Sequence, residues 1–343
     1  MTLPVSPDRI AKALAAVPVL VGVDVTGPHL AATPDTVSWG WMPSGADRPV
    51  LEVAPGDVVS IDTVSHEGIL GDQGRDPVRF FGGFGVPADA VLSDAAAIAA
   101  CGLPHDPLAD GPHVVTGPVA VTGARPGDVV SITVLDLVPR VPYGIVSSRH
   151  GLGALPGEVI GDDPETRARF PLAPFLGFVG VAGSERIHSV APGVHGGNID
   201  VRLLGVGTTL HLPVAVPGAL VGVGDPHFAQ GDGEVALTAF EAPLRATLRL
   251  DLTPAAEVPE RFGTLTGPLG ETPALWIPIG LDPDLDEAMR DAVRRSIDLL
   301  GHRYGMDRRQ AYAYLSVATD YAVSQVVDAT KGVHGTIRKA DFG

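Results

Sequence analysis

The chain has 343 residues, of which 45% are hydrophobic and 19% are charged, and its formal net charge is -16. This length and apolar content are sufficient for a globular fold with a sizeable core, built as one elaborated domain or two modest ones. The acidic balance argues against a nucleic-acid partner, because affinity for phosphate comes mainly from clustered lysine and arginine.

The first apolar stretch, residues 10–25, predicts a short helix followed by a buried strand. It is interrupted by Pro18, and it lacks both the basic leader of a signal peptide and the length of a membrane span. The single cysteine, Cys101, lies in an apolar context that is typical of a small buried residue. We therefore expect a cytoplasmic protein with no internal disulfide and no membrane association.

The central part of the chain has the texture of a β-rich body, which we place at residues 51–281. Across the sequence, 43 glycines and 32 prolines separate short β-branched runs, as in strands joined by turns. The heptapeptide PGDVVSI occurs at 55–61 and again at 126–132, each time as a Pro-Gly turn before an alternating strand. The repeat indicates either a duplicated β-unit, at 51–64 and 122–137, or the reuse of a favourable turn.

The last part of the chain, residues 282–343, predicts a pair of helices and a short terminal strand. Apolar residues recur at helical spacing from Leu285 to Leu300, acidic residues precede basic ones, and Gly301 offers a stop. A second helix is predicted to begin at Asp307. With residues 1–50 as an N-terminal extension, the predicted fold is α+β and predominantly β: a sandwich or barrel body closed by a C-terminal helical pair.

Two polar stretches, GVHGGNID at 193–200 and VGVGDPHFAQGDGEVALTAFE at 221–241, contain the best candidates for chemistry. Asp225 and His227 are two residues apart, so an extended strand would project both side chains from one face. A carboxylate and an imidazole on one face suit a divalent metal. The alternative is a turn before Pro226 beside a hydrogen-bonded surface histidine, and spacing alone leaves both interpretations open.

The residues that follow His227 extend the polar pattern. Gln230, Asp232 and Glu234 alternate with glycines, which allow close approach of the backbone to a ligand, and a glutamate near a metal can act as a general base or acid. A polar hairpin turn explains the same letters. Glu241 differs because it lies in an apolar run, where a carboxylate must find a partner or hold a proton.

Two further histidines occupy comparable places around the repeat. His66, beside Glu67, follows the first PGDVVSI strand, whereas His113 precedes the second, so they could line one rim of a site or be satisfied surface residues. The sequence contains no G-x-S-x-G elbow, P-loop or dinucleotide fingerprint. Covalent serine or cysteine catalysis and a nucleotide cofactor are therefore not indicated.

Taken together, these stretches resemble the acetamidase/formamidase family of amide hydrolases. The resemblance is strongest at residues 113–137, 193–200 and 210–241, includes the helical end, and covers residues 50–340. The combination of GGN-x-D with GD-x-H-x-x-Q-G-D-G-E is more specific than either motif alone. The resemblance implies a β-rich α+β fold, hydrolysis of a small amide to a carboxylate and ammonia, and a divalent metal, with zinc favoured over calcium or magnesium.

The polar positions of this chain that match the family's pattern are Asn198, Asp200, Asp225, His227, Gln230, Asp232, Glu234 and Glu241. We expect Asp200, Asp225 and His227 to bind the metal and Glu234, Glu241 and Asn198 to be catalytic. The expected substrate-binding residues are His195, Gly196, Gly197, Gln230, His66 and His113.

The regions of His66 and His113 depart from the better-known acetamidases, so the amide substrate stays open. Two alternatives remain: a related hydrolase of another C–N bond, such as an N-formyl or cyclic amide, and a non-catalytic β-sandwich that binds a metal or a small ligand. We also expect a homo-oligomer, since the chain is broadly apolar.

Overall fold

The computed structural model describes residues 25, 27–147, 152–158 and 169–342, so the predicted helix and strand at 10–25 lie outside the described residues apart from Val25. The strands are β1 (His29–Leu30), β2 (Val37–Trp39), β3 (Trp41–Met42), β4 (Leu51–Val53), β5 (Val58–Asp62), β6 (Val114–Val121), β7 (Val129–Pro139), β8 (Phe175–Val181), β9 (Ile187–His188), β10 (Gly196–Asn198), β11 (Thr209–Pro213), β12 (Val221–Ala229), β13 (Phe240–Glu241), β14 (Leu244–Thr253), β15 (Leu269–Glu271), β16 (Leu275–Asp282), β17 (Asp320–Gln325) and β18 (Lys331–Arg338). The helices are α1 (Pro77–Gly82), α2 (Ser93–Ala100), α3 (Val258–Phe262), α4 (Leu285–Tyr304) and α5 (Arg308–Ala318), with 3₁₀ turns at Gly71–Gln73, Ala88–Ala90 and Lys339–Phe342.

Two large sheets pack face to face. The larger has the order β1-β5-β14-β7-β11-β15-β16-β18-β17, and the smaller has the order β10-β8-β12-β6-β2, with β13 on β12 and β4 on β6. One continuous core joins Ile61 and Leu248 of the larger sheet to Val121 and Val223 of the smaller, as in a sandwich. The predicted α+β, predominantly β fold is confirmed.

Both copies of the repeated heptapeptide form the same turn before a strand of the larger sheet. Gly56 and Gly127 have φ of 91° and 95°, which favours glycine, and they precede β5 and β7. The carboxylates of Asp57 and Asp128 each accept a hydrogen bond at 2.8 Å from the backbone N–H three residues earlier. Shared turn chemistry therefore accounts for the local likeness, and the duplication of a larger β-unit stays a prediction.

The described part of residues 1–50 contributes to both sheets. β1 pairs in parallel with β5, and β2 pairs with β6. At the other end of the chain, β17 and β18 form a hairpin at the edge of the larger sheet, where the sequence predicted a single short strand. The boundaries proposed at residues 50 and 281 stay predictions.

The C-terminal helices begin where their capping residues predict. The Asp284 carboxylate accepts from the backbone N–H of Glu287 at the start of α4, and Asp307 with Gln310 forms a capping box at the start of α5. The predicted stop at Gly301 is wrong, because α4 continues to Tyr304 and Gly305 takes the left-handed conformation, with φ 67°. A glycine ends a helix only where the backbone turns left-handed.

The segment between β5 and β6 contains α1 and α2, which the sequence analysis did not predict. Cys101 follows α2 and is exposed, so the prediction that it is a buried core residue is wrong. Ile98 faces the core in its place and is fully buried with Leu70 and Val114. Across the described residues, none of the helices combines the length and the apolar character that crossing a membrane would require.

Candidate active site

A cavity of about 490 Å³ opens between the smaller sheet and the segment that connects β5 to β6. Its base is polar, and six of the twelve predicted site residues line it. Asn198, Asp225 and Glu241 come from strands of the smaller sheet, His66, His113 and Glu234 from the chain beside β5, β6 and β12, and Asp328, beyond the prediction, from the turn between β17 and β18.

The centre of the base is the pair that the strand spacing singled out. Asp225 and His227 both lie on β12 and are buried, and His227 Nε2 is 3.0 Å from Asp225 Oδ2. Glu241 of β13 completes the group, with Oε1 3.2 Å from the same His227 nitrogen. We call Asp200, Asp225, His227, Glu234 and Glu241 the carboxylate–histidine cluster, since each is buried and offers a ligand atom close to the others.

The backbone conformation helps to set the direction of three side chains in this cluster. Asp200, Asp225 and Glu234 have φ of 46°, 48° and 45°, in the left-handed region that non-glycine residues rarely adopt. Such conformations typically cost of order 1 kcal/mol each, and they persist only where the surrounding structure holds them. Here the sheet holds Asp225, since its neighbours Gly224 and Pro226 are paired with β8.

Gly177 of β8 lies directly against the side chains of the cluster. It lies opposite Asp225 in the β8–β12 ladder, between the paired residues Leu176 and Phe178. A Cβ atom at this position would lie 2.6 Å from Asp225 Oδ2 and 2.7 Å from His227 Cε1, and it would also collide with Asp200 Oδ1. The missing side chain is therefore a requirement for the three groups to meet.

We expect Gly177→Ala to lower turnover at this site by about 10²-fold, because a displacement of about 1 Å at a reaction centre has an effect of that order. Circular dichroism and thermal unfolding report whether the sheet survives. Gly231→Ala is the matched control, since a Cβ there meets no atom within 4 Å. A fully active Gly177→Ala variant would contradict the role assigned to Gly177, which is to leave room for the side chains of the cluster.

Burial and mutual repulsion shift Asp200, Glu234, Glu241 and Asp328 toward their protonated forms. Against the same burial, the charge of His227 holds the pKa of Asp225 well below its ordinary value. Loss of hydration, then the Glu234 charge, raises the pKa of Asp200 well above its ordinary value. Burial also raises the pKa of Glu234, with further contributions from Asp328 and Asp225, and it raises the pKa of Glu241. Burial raises the pKa of Asp328 to about 7. Without a further positive charge, these carboxyl groups therefore cannot all be ionised together.

The histidines divide into charged and neutral rings. Burial opposes the charge on His227, but Glu241 and Asp225 raise its pKa well above the ordinary value. Against the same penalty, hydrogen bonds to Asp225 and Glu67 raise the pKa of His66 to about 10. Burial lowers the pKa of His113 to about 4, and its ring packs edge-on against His66 at 5.3 Å.

The residues of the base fit a divalent cation. The carboxylates of Asp200, Glu234 and Glu241 each keep at least one buried oxygen that accepts no protein hydrogen bond among the described residues, an arrangement that a cation would relieve. Three sets of ligand atoms lie within 4.8 Å of one another: His66 with His113 and Asp225, Asp200 with His227 and Glu234, and Asp225 with His227 and Glu241. Glu234 and Glu241, predicted as catalytic, therefore also reach ligand positions.

Other predicted residues lie away from the cavity. The buried ring of His195 lies beside Gly193 and Gly197, and burial lowers its pKa to about 4. The Gly196 N–H is already donated to the Gly193 carbonyl at 3.0 Å. Neither His195, Gly196 nor Gly197 lines the cavity, so their role in substrate binding stays a prediction and the geometry favours a structural one.

Gln230 and Asp232 act at the edge of the site. Gln230 Nε2 donates to the backbone carbonyls of Asp200 and Ser324, at 3.0 and 3.2 Å, and so ties the loop after β10 to β17. Asp232 forms an ion pair with Arg202 at 2.9 Å, toward the surface. Asp328 was missed because its neighbours in sequence form a turn between β17 and β18, and only the folded chain brings it to the base.

The segment that contains the cluster matches a known protein family. Residues 178–260, which include all five residues of the cluster, match the model of the Acetamidase/Formamidase family. The resemblance to this family is confirmed. Acetamidase/formamidase sequences and structures resemble the chain beyond that segment as well.

An acetamidase structure from Bacillus halodurans aligns with a TM-score of 0.71 and 27% identity, over 92% of this chain and 98% of that one. An acetamidase from Yersinia enterocolitica, with a TM-score of 0.73, 24% identity and coverage of 98% and 100%, shows the same fold. A formamidase from Methylophilus methylotrophus is 25% identical over 191 residues, which are 36% of this chain. The chain spans about half the length of the curated formamidases it matches, 47% in that case.

Proposed function

We propose that the protein hydrolyses the C–N bond of an amide to a carboxylate and ammonia, with a divalent cation held by the carboxylate–histidine cluster. The observation that carries the proposal is the group of buried carboxylates beside His227, each of which keeps an oxygen without a hydrogen-bond donor among the described residues, at the base of a cavity. The match of residues 178–260 to the acetamidase/formamidase family supports the reaction type. A mixed histidine and carboxylate set favours zinc over calcium or magnesium.

Asp200, Asp225 and His227 would hold the cation. When bound, it would supply Lewis-acid polarisation of the amide carbonyl and a lowered pKa for the attacking water. The positive charge would also compensate the repulsion that raises the pKa of Asp200. His227 would bind it as a neutral ring, with the cation in place of the ring proton that Glu241 and Asp225 stabilise against burial.

Glu234 would move the proton in this scheme. Its carboxylate lines the cavity within 4.8 Å of Asp200 and His227 ligand atoms, and it would take a proton from water and deliver it to the leaving nitrogen. Glu241 would orient His227, because its Oε1 also accepts a hydrogen bond from the Ala239 backbone N–H at 3.0 Å. The Asn198 side chain lines the same base and would donate to the developing oxyanion.

The remaining features of the proposal extend beyond the chemistry of the site. His66 and His113 would contact the substrate, since both line the cavity. A homo-oligomer and a cytoplasmic location stay predictions. An N-formyl or cyclic amide is the alternative substrate type, and non-catalytic ligand binding is disfavoured because it gives no role to the raised pKa of Glu234.

Ammonia release combined with elemental analysis tests the proposal. We expect the purified protein to contain a stoichiometric divalent metal and to release ammonia from amides. Chelation of the metal should lower the rate by about tenfold or more, which corresponds to about 1.4 kcal/mol or more in the activation free energy. Added zinc should restore the rate. Full turnover by a metal-free preparation would refute the metal dependence, and no ammonia from any amide would refute the reaction.

A further inference from the structure

The cavity is much larger than a formamide or acetamide molecule. A water molecule occupies about 30 Å³ in the liquid, so an amide of four non-hydrogen atoms needs on the order of 100 Å³. The cavity has a volume of about 490 Å³. Cavities of about 300–1,000 Å³ commonly enclose drug-sized ligands. Most of this space therefore lies beyond the atoms that the polar base would contact.

The wall of the cavity away from the base is mostly apolar. Its apolar side chains come from separate segments of the chain and include Leu70, Pro107, Pro112, Val190, Leu237 and Val327, beside the polar residues Asp72, His105, Asp110 and Thr238. The first three belong to the connection between β5 and β6, where α1 and α2 lie. Val190 is only half-buried, and so is Leu237, so each has surface left to cover. A wall of this kind favours a hydrocarbon group over a solvated one.

The charges around the cavity disfavour an anionic substrate. Among the described lining residues the ionisable groups are carboxylates and histidines, with no lysine or arginine. At the mouth, the Asp110 carboxylate is already engaged by Trp41 Nε1 and by the Asp106 backbone N–H, each at 2.7 Å. A free carboxylate on the substrate would meet negative charge, and the cationic ring of His66 is already paired with Glu67 and Asp225.

We propose that the substrate is an uncharged primary amide whose acyl group is an apolar chain or ring, larger than that of acetamide. The amide end reaches Asp225 and Glu234, and the hydrocarbon group lies against Leu237, Val190 and the β5–β6 connection. This inference rests on the proposed amide hydrolysis and specifies its substrate class. The reaction is otherwise unchanged: water adds to the carbonyl, the C–N bond breaks, and ammonia leaves with the transferred proton.

A series of straight-chain amides tests the size of the acyl group. Each buried methylene is worth about 0.8 kcal/mol, or about fourfold in kcat/KM. We therefore expect hexanamide and phenylacetamide to exceed acetamide by at least about tenfold in kcat/KM, and succinamate, an anionic amide of similar length, to be at least about tenfold poorer than hexanamide. Ammonia release measures all of these rates.

Variants of the wall test where the acyl group binds. Val190→Ala and Leu237→Ala should each lower the hexanamide-to-acetamide ratio of kcat/KM by about threefold or more, since they remove hydrocarbon contact. Val317→Ala is the matched control, because Val317 is 84% exposed on α5 and lies outside the cavity. It should leave the ratio as it is.

The outcomes distinguish a failure of the proposed substrate class from a failure of the proposed amide hydrolysis. If acetamide is hydrolysed as well as hexanamide, the substrate class is wrong although amide hydrolysis stands. A preference for hexanamide that neither wall variant reduces would overturn the assigned binding surface. An equal rate with succinamate would overturn the charge argument. Absence of ammonia from every amide would instead remove the proposed function itself.

Discussion

Replacement of Glu234 by glutamine is expected to lower the kcat of amide hydrolysis by about 10³-fold, because general acid–base catalysis contributes about 10²–10⁴-fold. Glutamine keeps the size and the polar character of the side chain but cannot carry the proton. The left-handed backbone at this position, with φ 45°, should tolerate the change as it tolerates glutamate. Steady-state ammonia release with hexanamide and acetamide measures the loss.

The control for Glu234→Gln is Asp232→Asn, two residues earlier in the same loop. Asp232 pairs with Arg202 at the protein surface, where such ion pairs contribute little to stability or to the site. We expect near-normal turnover from this control. Undiminished turnover by Glu234→Gln, with metal content equal to that of the parent, would exclude Glu234 as the proton-transfer group.

The second large effect is expected from Asp225→Asn, which should lower both metal retention and kcat/KM. Asp225 contacts His227 at 3.0 Å and His66 at 3.4 Å, so its charge is central to the cluster. Stabilisation of charge by a bound metal is worth several kcal/mol, which corresponds to about 10³-fold in rate. Elemental analysis and ammonia release on the same preparation should fall together.

Asp225→Asn also tests the charge on the histidines without a substrate. The negative charge of Asp225 helps to raise the pKa of His66 to about 10, so the metal-free variant should show a lower His66 pKa by NMR titration. Asp232→Asn again serves as the control and should leave that titration unchanged. A variant that retains metal and full activity would show that Asp225 is not a ligand.

The parts of the fold that sequence reasoning predicted are those with local chemistry. The Asp307 and Gln310 capping box needs only a few consecutive residues, and so does each Pro-Gly turn before β5 and β7. The spacing of Asp225 and His227 is likewise local, and it predicts one face of an extended strand, although the left-handed backbone at Asp225 makes β12 irregular at that residue. These features depend on neighbours in sequence, so they can be inferred before any packing is known.

What the sequence did not predict depends on contacts between distant residues. Asp328 joins the base from the turn between β17 and β18, and Gly177 becomes important only because it lies opposite Asp225. The sequence predicts the end of α4 at Gly301 because a glycine follows the last apolar residue of the pattern, whereas the backbone turns left-handed at Gly305. Such outcomes are decided by tertiary structure, which a pattern of letters does not contain.

The left-handed backbone at Asp200, Asp225 and Glu234 has a consequence for moving this site to another protein. Their carboxylates are directed in part by main-chain torsions that a regular strand does not adopt. Copying the motif GD-x-H-x-x-Q-G-D-G-E into a regular strand would therefore direct Asp225 and Glu234 differently. A transplanted site must include β12, its partner strand β8 with Gly177, and the loop between β12 and β13 that carries Glu234.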